Sequence, residues 1–532
     1  MRERPESAAE RVKRAAPSAA SATLIVMIGL MTSKITGFAR EVIIAPVLGY
    51  GVNTDAYTMG FQIPDLFYQL LIGGAIAAVL TPTLAGGIAR NQERRTWRSI
   101  SIFINVFVIG MIVANILGIA FAPVLISLYS RNHEPEVVAL AIKVTRTIFP
   151  QTLFLMMAGF CVGVVNSYRQ FTKSAFSSTI YNVACIIFIL VFGNKTPAGP
   201  VRVAAGVALA AFINFLFMFV VSRNEFRLYR PIIRLQDEGF KRLVRLAIPT
   251  LLSGSVAQIN SIVLTHFADQ FPGAVTSLRH AAVTWNLPLG IFALSIGSVM
   301  LPSLSAANAN RDYRSMRSLY TYNLRRALFL VAPFSVIFFF KGQETIQAIF
   351  QWREAIPPDR LQITGHVLQW YGFALMIMTV VYMTNVGFYS RRITKIALLT
   401  SLMSLILNPI FCTIFLRVFG MGVDGLSLAY TVNTLLQMIV MQILYRRHLP
   451  QAKPYRLLPF MLRLVFCMLA ASIAAMALNT LGLHPPGKFM QLFVYMLEAG
   501  IIGGTFILAA KAIRLREVEF LGGQVMRLLK RG

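Results

Sequence analysis

"SKITGFAREVIIA", residues 33–45, brings charges into an apolar run. Lys34, Arg40 and Glu41 interrupt a segment, residues 22–49, that is long enough to cross a bilayer. One charged side chain at the membrane centre costs about 2.5–3.5 kcal/mol on insertion scales. Three of them facing lipid would cost roughly 8–10 kcal/mol. We therefore expect these side chains to face a cavity, each other or a neighbouring helix.

The composition indicates a polytopic membrane protein. Of 532 residues, 56% are hydrophobic and only 13% are charged, whereas soluble domains average about 25% charged residues. The net charge of +29 lies mainly in short gaps between apolar runs, which is typical of topogenic charge and not of a nucleic-acid-binding surface. The four cysteines are scattered singly without metal-ligand spacing. We expect no nucleic-acid partner, no metal and no cofactor.

The apolar runs predict an all-α protein with fourteen transmembrane helices, since one span needs about 20 residues. The predicted spans lie near 22–48, 57–88, 99–128, 138–165, 174–193, 202–222, 243–268, 275–304, 320–340, 362–389, 396–416, 421–445, 457–481 and 489–510. Lys and Arg concentrate in the even-numbered gaps and in both tails, as in "RNQERRTWR" at residues 90–98. The positive-inside rule then places both termini in the cytoplasm.

An internal repeat divides the predicted helices. "LTPTLAGG" at 80–87 resembles "MLPSLSAA" at 300–307, and "SYRQFTKSA" at 167–175 resembles "FYSRRITKIA" at 388–397. The repeat predicts two parallel six-helix units with a substrate path between them. The alternative is that Pro/Ser/Leu-rich helix ends resemble each other by chance. The predicted regions are a cytoplasmic tail (1–21), an N-lobe (22–222), a cytoplasmic linker (223–242), a C-lobe (243–445), helices 13 and 14 (446–510) and a cytoplasmic tail (511–532).

Further polar side chains accompany those of span 1. Asp55 opens span 2, and Arg279 lies in span 8. If spans 1 and 8 meet, Lys34, Arg40 and Arg279 make the cavity cationic, which suits a phosphate or pyrophosphate because arginine offers paired donors. In the alternative interpretation, the charges of span 1 only hold helices together, and Arg279 reaches the outer interface.

For two further polar residues in the predicted spans, Glu498 and His280, a structural role is favoured over substrate binding. For Glu498 we expect a hydrogen bond within the hairpin of the last two spans, and for His280 a packing role. The sequence contains no Walker, HExxH or GxSxG motif. We therefore expect neither an enzyme nor transport driven by ATP hydrolysis on this chain.

"SKITGFAREVIIAPVLGYGVNTDAYTMGFQIPDLF" and "NVGFYSRRITK" resemble the MurJ (MviN) lipid II flippase family of the multidrug/oligosaccharidyl-lipid/polysaccharide exporter superfamily. The resemblance implies two lobes, with helices 13 and 14 forming a lipid-tail groove. It also implies alternating access that moves the undecaprenyl-pyrophosphate-linked peptidoglycan precursor from the inner to the outer leaflet of a bacterial inner membrane. The implied partners are lipid II, membrane lipids and the cell-wall synthesis machinery, with consequences for cell shape.

The family motifs map onto individual residues. In the family pattern SRxxGFxRD, Lys34 replaces the first Arg, Arg40 matches the second, and Glu41 replaces the Asp; Asp55 matches the Asp of TDAF. Three other charged positions of the family carry uncharged residues here, namely Tyr68, Gly73 and Val283. Arg279 lies one turn before the last of these and is a substitute candidate. The alternatives are an exporter of another polyprenyl-linked glycan, a drug/cation antiporter and a non-transporting membrane scaffold.

Overall fold

The computed structural model describes residues 19–71, 79–130, 134–352, 356–391, 393–448, 457–482 and 487–518. Every long regular element in these ranges is a helix. Apolar sequences within a bilayer favour helices because a helix satisfies its own backbone hydrogen bonds where no water is present. The chain forms two compact units, Met1–Val275 and Thr276–Gly532.

The first unit contains eleven helices in its described part. They are α1 (Ala19–Leu48), α2 (Val52–Leu71), α3 (Thr81–Ala89), α4 (Glu93–Ala120), α5 (Ala122–Ser127), α6 (Pro135–Ile148), α7 (Pro150–Ser167), α8 (Phe171–Ser174), α9 (Ser177–Phe192), α10 (Gly199–Ser222) and α11 (Glu238–Ala268). A single 3₁₀ turn, Glu225–Leu228, lies between the last two. Pro150 begins α7, where its missing N–H costs nothing because first-turn donors have no helical partner.

The second unit continues with α12, whose first two residues still belong to the first unit. Its helices are α12 (Ala274–Pro288), α13 (Ser295–Ala309), α14 (Tyr313–Phe340), α15 (Gly342–Phe350), α16 (Pro358–Ser390), α17 (Thr394–Thr413), α18 (Val423–His448), α19 (Leu457–Thr480) and α20 (Lys488–Ala512). Pro288 ends α12, and π-helical residues Leu289–Leu294 connect it to α13. A second π segment, Ile414–Val418, extends α17.

Eleven helical segments in the described ranges are long and apolar enough to cross a membrane. Three further long helices, α1, α2 and α11, lie where spans 1, 2 and 7 are predicted. The prediction of an all-α polytopic membrane protein is confirmed. The count of fourteen spans stays a prediction.

The core of the first unit joins helices that are distant in sequence. Trp97 and Phe103 of α4 are fully buried with Phe160 of α7. The Trp97 indole Nε1 donates a hydrogen bond to the hydroxyl of Tyr168, 3.0 Å away. The first turns of α11 join the same core through Phe240. These contacts fix the first turns of α4, which carry the basic residues Arg94, Arg95 and Arg98.

The second unit packs through aromatic side chains and close backbone approach. Tyr320 of α14 stacks on Tyr445 of α18, with ring centroids 4.8 Å apart. Gly365 of α16 has no Cβ, and one built there would lie 2.9 Å from the Cα of Gln343 in α15. A glycine is therefore required where α15 and α16 meet.

The predicted domain boundaries stay predictions. The repeat pattern assigns α11 to the C-lobe, whereas α11 packs on α2 and α4 within the first unit. Gly73, residues 1–18 and residues 519–532 lie outside the described residues.

Candidate substrate-binding site

The charges of α1 form an ion pair between neighbouring residues. Nη2 of Arg40 lies 2.7 Å from Oε1 of Glu41, and the two side chains are 18% and 11% exposed. The Arg40 guanidinium also lies over the ring of Tyr181 in α9, 5.7 Å from its centroid. An aromatic face attracts a cation through its quadrupole. The pair and the ring hold the guanidinium in one place on α1.

Close contact with α9 explains the glycine of the motif. A Cβ at Gly37 would lie 3.2 Å from Nδ2 of Asn182. That same Nδ2 donates a hydrogen bond to the backbone carbonyl of Ser33, 3.2 Å away. Asn182 therefore approaches the α1 backbone at a motif position that has no side chain. A larger residue there would displace Asn182.

Lys34 has an exposed side chain on the same helix. It is six residues from Arg40, which corresponds to a rotation of about 240° around the helix axis at 3.6 residues per turn. The side chains of Lys34 and Arg40 therefore project from different faces of α1. Of the predicted site residues on this helix, the structure pairs Arg40 with Glu41 and places Lys34 apart from Arg40.

Asp55 lies in the first turn of α2 and is 4% exposed. Its backbone N–H donates to the carbonyl of Gly51, 3.0 Å away. The turn before it is held by Asn53, whose Nδ2 donates to the carbonyls of Leu48 and Lys195 at 3.1 and 2.9 Å. Asp55 is thus fixed by a rigid loop in the first unit.

Arg279 lies on α12 in the second unit and is half-buried. Val283, four residues later on the same helix, is half-buried as well. Residues four apart share a helix face, and the substitution of Arg279 for the family position at Val283 stays a prediction. His280 is buried and stacks on Phe350, with ring centroids 4.1 Å apart, which agrees with a packing role.

Sequence reasoning missed a buried ion pair in the second unit. Lys341 follows α14 and places Nζ 2.9 Å from Oε1 of Glu498 in α20, with both side chains 5% exposed. Glu344 lies 3.6 Å from the same Nζ. Glu498 therefore binds a lysine that lies between α14 and α15, outside the hairpin of the last two spans. The partners are 157 residues apart, so no local spacing could reveal them.

A second ion pair connects α14 to the chain that follows α20. Nε of Arg325 in α14 lies 2.7 Å from Oε1 of Glu517, which follows α20. The Arg325 guanidinium also lies 4.7 Å from the ring centroid of Phe460 in α19. The last two long helices are therefore fixed to α14 at two separated levels.

The described residues contain no group of three or more His, Cys, Asp or Glu side chains arranged to hold a metal ion. Cys161, Cys185, Cys412 and Cys467 are buried and free. The chemistry of the candidate site is that of fixed charges and hydrogen-bond donors.

These features define a multi-pass membrane protein that carries fixed charges in its membrane-spanning helices. The family model described as "Lipid II flippase MurJ" matches residues 44–497. The chain belongs to this MurJ family, and the resemblance seen in its motifs is confirmed.

Relatives cover most of the chain. The "Probable lipid II flippase MurJ" of Buchnera aphidicola subsp. Acyrthosiphon pisum is 24% identical over 504 residues, which cover 93% of this chain and 98% of that protein. The "Lipid II flippase MurJ" of Burkholderia cenocepacia is 26% identical over 432 residues, 80% of this chain and 83% of that protein.

Solved structures share the fold. A lipid II flippase MurJ in an inward closed conformation matches with a TM-score of 0.76 at 19% identity, covering 92% of this chain and 98% of that one. An inward-facing multidrug resistance MATE transporter of the MOP superfamily matches with a TM-score of 0.67 at 16% identity, covering 81% and 98%. The fold is thus shared by transporters of different cargo.

Proposed function

We propose that this chain is a lipid II flippase, which moves the undecaprenyl-pyrophosphate-linked peptidoglycan precursor from the inner to the outer leaflet by alternating access. The observation that carries the proposal is the family match over residues 44–497. A flippase of this kind moves its substrate without covalent chemistry.

Arg40 is the centre of the proposed binding site. A guanidinium presents five N–H donors in a planar fork, and the contact with Glu41 uses Nη2. The fork suits the oxygens of a pyrophosphate, which it can bind in a bidentate manner. The Tyr181 ring on one side of the guanidinium supports a fixed orientation toward such a group.

The other site residues have supporting roles in this proposal. Lys34 adds positive charge that attracts the pyrophosphate, and Arg279 of the second unit is a candidate for a further binding cation. Glu41 orients Arg40 and keeps its charge tolerable within the bilayer. Asp55 lies in the first turn of α2, where its burial supports the turn that follows the helix carrying the site.

One contact supports alternating access between the two repeats. Nε2 of Gln62 in α2 donates to Oγ1 of Thr265 in α11, with 2.6 Å between the atoms. The bond joins the second helix of the predicted N-lobe to the first helix of the predicted C-lobe. We expect it to change when the two repeats move during transport.

The proposed location is a bacterial inner membrane, with both termini in the cytoplasm and the cell-wall synthesis machinery receiving the product. Topology reporters fused within residues 91–96 and within residues 193–200 test the orientation. The first is expected to report the cytoplasm and the second the outer side, and the same side for both would overturn the predicted topology.

The function is tested by rescue of a bacterium depleted of its own lipid II flippase. The wild-type chain is expected to restore growth and the surface accessibility of labelled lipid II. A chain that reaches the membrane at normal abundance and restores neither contradicts the proposal. Restored surface display of a different polyprenyl-linked glycan, without lipid II, would identify the related exporter function.

A further inference from the structure

Residues 229–235, "YRPIIRL", form an exposed segment between α10 and α11 with alternating chemistry. Tyr229 is 36% exposed, and Ile233 and Leu235 are each 59% exposed. Arg230 and Arg234 are exposed between them. Three large apolar side chains facing water would forgo the favourable free energy of removing apolar surface from water. The segment is therefore suited to a boundary between an apolar and a polar phase.

The segment is held at a defined level of α4. Nδ2 of Asn105 donates to the carbonyls of Arg230 and Ile232 at 3.2 and 2.9 Å. The backbone N–H of Arg230 donates to Oγ of Ser101, 3.1 Å away. The hydroxyl of Tyr229 donates to Oδ1 of Asn105. Four hydrogen bonds thus fix the backbone against one helix.

That level corresponds to the edge of the membrane. α4 is long and apolar enough to cross the membrane, and its charged residues end at Arg98, with none from Ser99 to Ala120. Asn105 is seven residues beyond Arg98, or about 10 Å at 1.5 Å per residue. The segment bound to Asn105 therefore lies where headgroups give way to acyl chains.

The acidic side chains near the segment are already engaged by the protein. Glu225 is 6% exposed on its side chain and pairs with Lys173 at 3.0 Å. Asp237 accepts hydrogen bonds from Ser99 and from the backbone N–H of Phe240. Arg230 and Arg234 make no ion pair with any residue in the described ranges. The outward charge of the segment is positive.

We propose that residues 229–235 bind anionic phospholipids at the membrane interface. Arg230 and Arg234 contact the headgroup phosphates, while Tyr229, Ile233 and Leu235 insert among the upper acyl carbons. Tyrosine favours this depth because it has an apolar ring and a polar tip, and basic residues near a membrane are attracted to anionic lipid. With the termini in the cytoplasm, the leaflet is the inner one. The surface is separate from the transport site.

Lipid retention by the purified full-length protein tests the headgroup contact. Native mass spectrometry in equal amounts of phosphatidylglycerol and phosphatidylethanolamine is expected to show preferential retention of phosphatidylglycerol. The double variant Arg230→Gln/Arg234→Gln is expected to lose the preference, by roughly fivefold for each arginine. The matched control, Arg446→Gln/Arg447→Gln, removes two exposed arginines elsewhere and is expected to keep it. Equal losses in both variants would overturn the proposal.

A depth measurement tests the insertion. A spin label at Ile233→Cys in nanodiscs is expected to be more accessible to oxygen than to a water-soluble nickel complex, because oxygen partitions into the acyl region. Arg94→Cys, at an exposed position in the first turn of α4, is expected to give the opposite ratio. The four native cysteines are buried, which directs labelling to the new site. Preferential nickel access at position 233 would show a water-exposed loop and contradict the proposal, whether or not the chain transports lipid II.

Discussion

Two ion pairs within the membrane-spanning part of the chain differ in what they connect. Arg40 and Glu41 are consecutive residues of one helix, 2.7 Å apart, and both side chains keep some exposure. Lys341 and Glu498 come from two helical segments, 2.9 Å apart, and both are almost completely buried. The distances are nearly equal, but the sequence separations are 1 and 157 residues.

The difference separates binding from architecture. The Arg40–Glu41 contact by itself connects no two helices, and the Arg40 side chain keeps 18% exposure, through which a ligand can approach it. A buried pair between distant segments fixes those segments, and loss of one partner leaves an uncompensated charge that costs about 3–5 kcal/mol. We infer that the Arg40 pair serves the substrate and the Lys341 pair serves the fold.

The largest expected effect is on transport. Arg40→Ala is expected to abolish flippase rescue at a membrane abundance equal to that of the wild type. Arg40→Lys is expected to retain partial function, because the charge persists while the planar fork is lost. Arg202→Ala, an exposed arginine of α10, serves as the matched control and is expected to rescue fully. Full rescue by Arg40→Ala at equal membrane abundance would show that the Arg40 pair is only structural. It would contradict the inference that the two ion pairs have different roles.

The buried pair should behave in the opposite way. Lys341→Met and Glu498→Gln are each expected to lower the free energy of unfolding by about 3–5 kcal/mol. The double variant Lys341→Met/Glu498→Leu is expected to recover much of that loss, since two apolar groups can replace a buried pair. Chemical denaturation of the purified protein measures all three. Single variants as stable as the wild type would show that the pair does not hold α20 to the end of α14.

The fold could be read from the sequence because apolar run length and charge distribution follow from the thickness of the bilayer. The runs placed near 22–48 and 457–481 correspond to α1 and α19 within a few residues. The π segment after Pro288 could not be read in the same way. A proline shows where a helical hydrogen bond is lost, but the packing around it determines how the helix continues.

The site was only partly predictable. Arg40 and Glu41 were predictable because charges are conspicuous inside an apolar run. Asn182, which fills the space beside Gly37, belongs to another helix and carries no signal of its own. Lys341 follows the apolar "VIFFF" and looks like an ordinary interfacial lysine, since only the tertiary fold brings Glu498 to it.

A smaller effect is expected at Arg279, which tests whether the second unit also contributes a binding cation. If Arg279 substitutes for the family position at Val283, Arg279→Ala should reduce rescue, and adding Val283→Arg should restore it. The two residues share one face of α12, about 6 Å apart along its axis. Full rescue by Arg279→Ala alone would contradict the relocation and leave the first unit as the source of the essential cation.

The smallest expected effect extends the comparison to a carboxylate outside the membrane-spanning helices. Asp237 caps α11, and its Oδ1 accepts from the Phe240 N–H at 2.9 Å and from the Ser99 hydroxyl at 2.8 Å. Burial alone would raise the pKa of Asp237, but these hydrogen bonds and nearby Arg98 outweigh burial and lower the pKa. Polar donors thus stabilise this charge, where a lysine stabilises Glu498.

Asp237→Ala is accordingly expected to cost about 1 kcal/mol of stability, the usual worth of a helix cap. Because the folded-state pKa is lowered, the stabilisation is complete above the ordinary aspartate pKa of about 3.9 and is lost as the pH falls through the folded-state value. The difference in the free energy of unfolding between wild type and Asp237→Ala should therefore be constant from pH 6 to 8, at about 1 kcal/mol. It should become smaller below about pH 4. Glu238→Gln, at a neighbouring exposed carboxylate, should show no such gap. A gap that stays constant into acid would mean that the Asp237 side chain acts through packing, and that its charge contributes nothing to the cap.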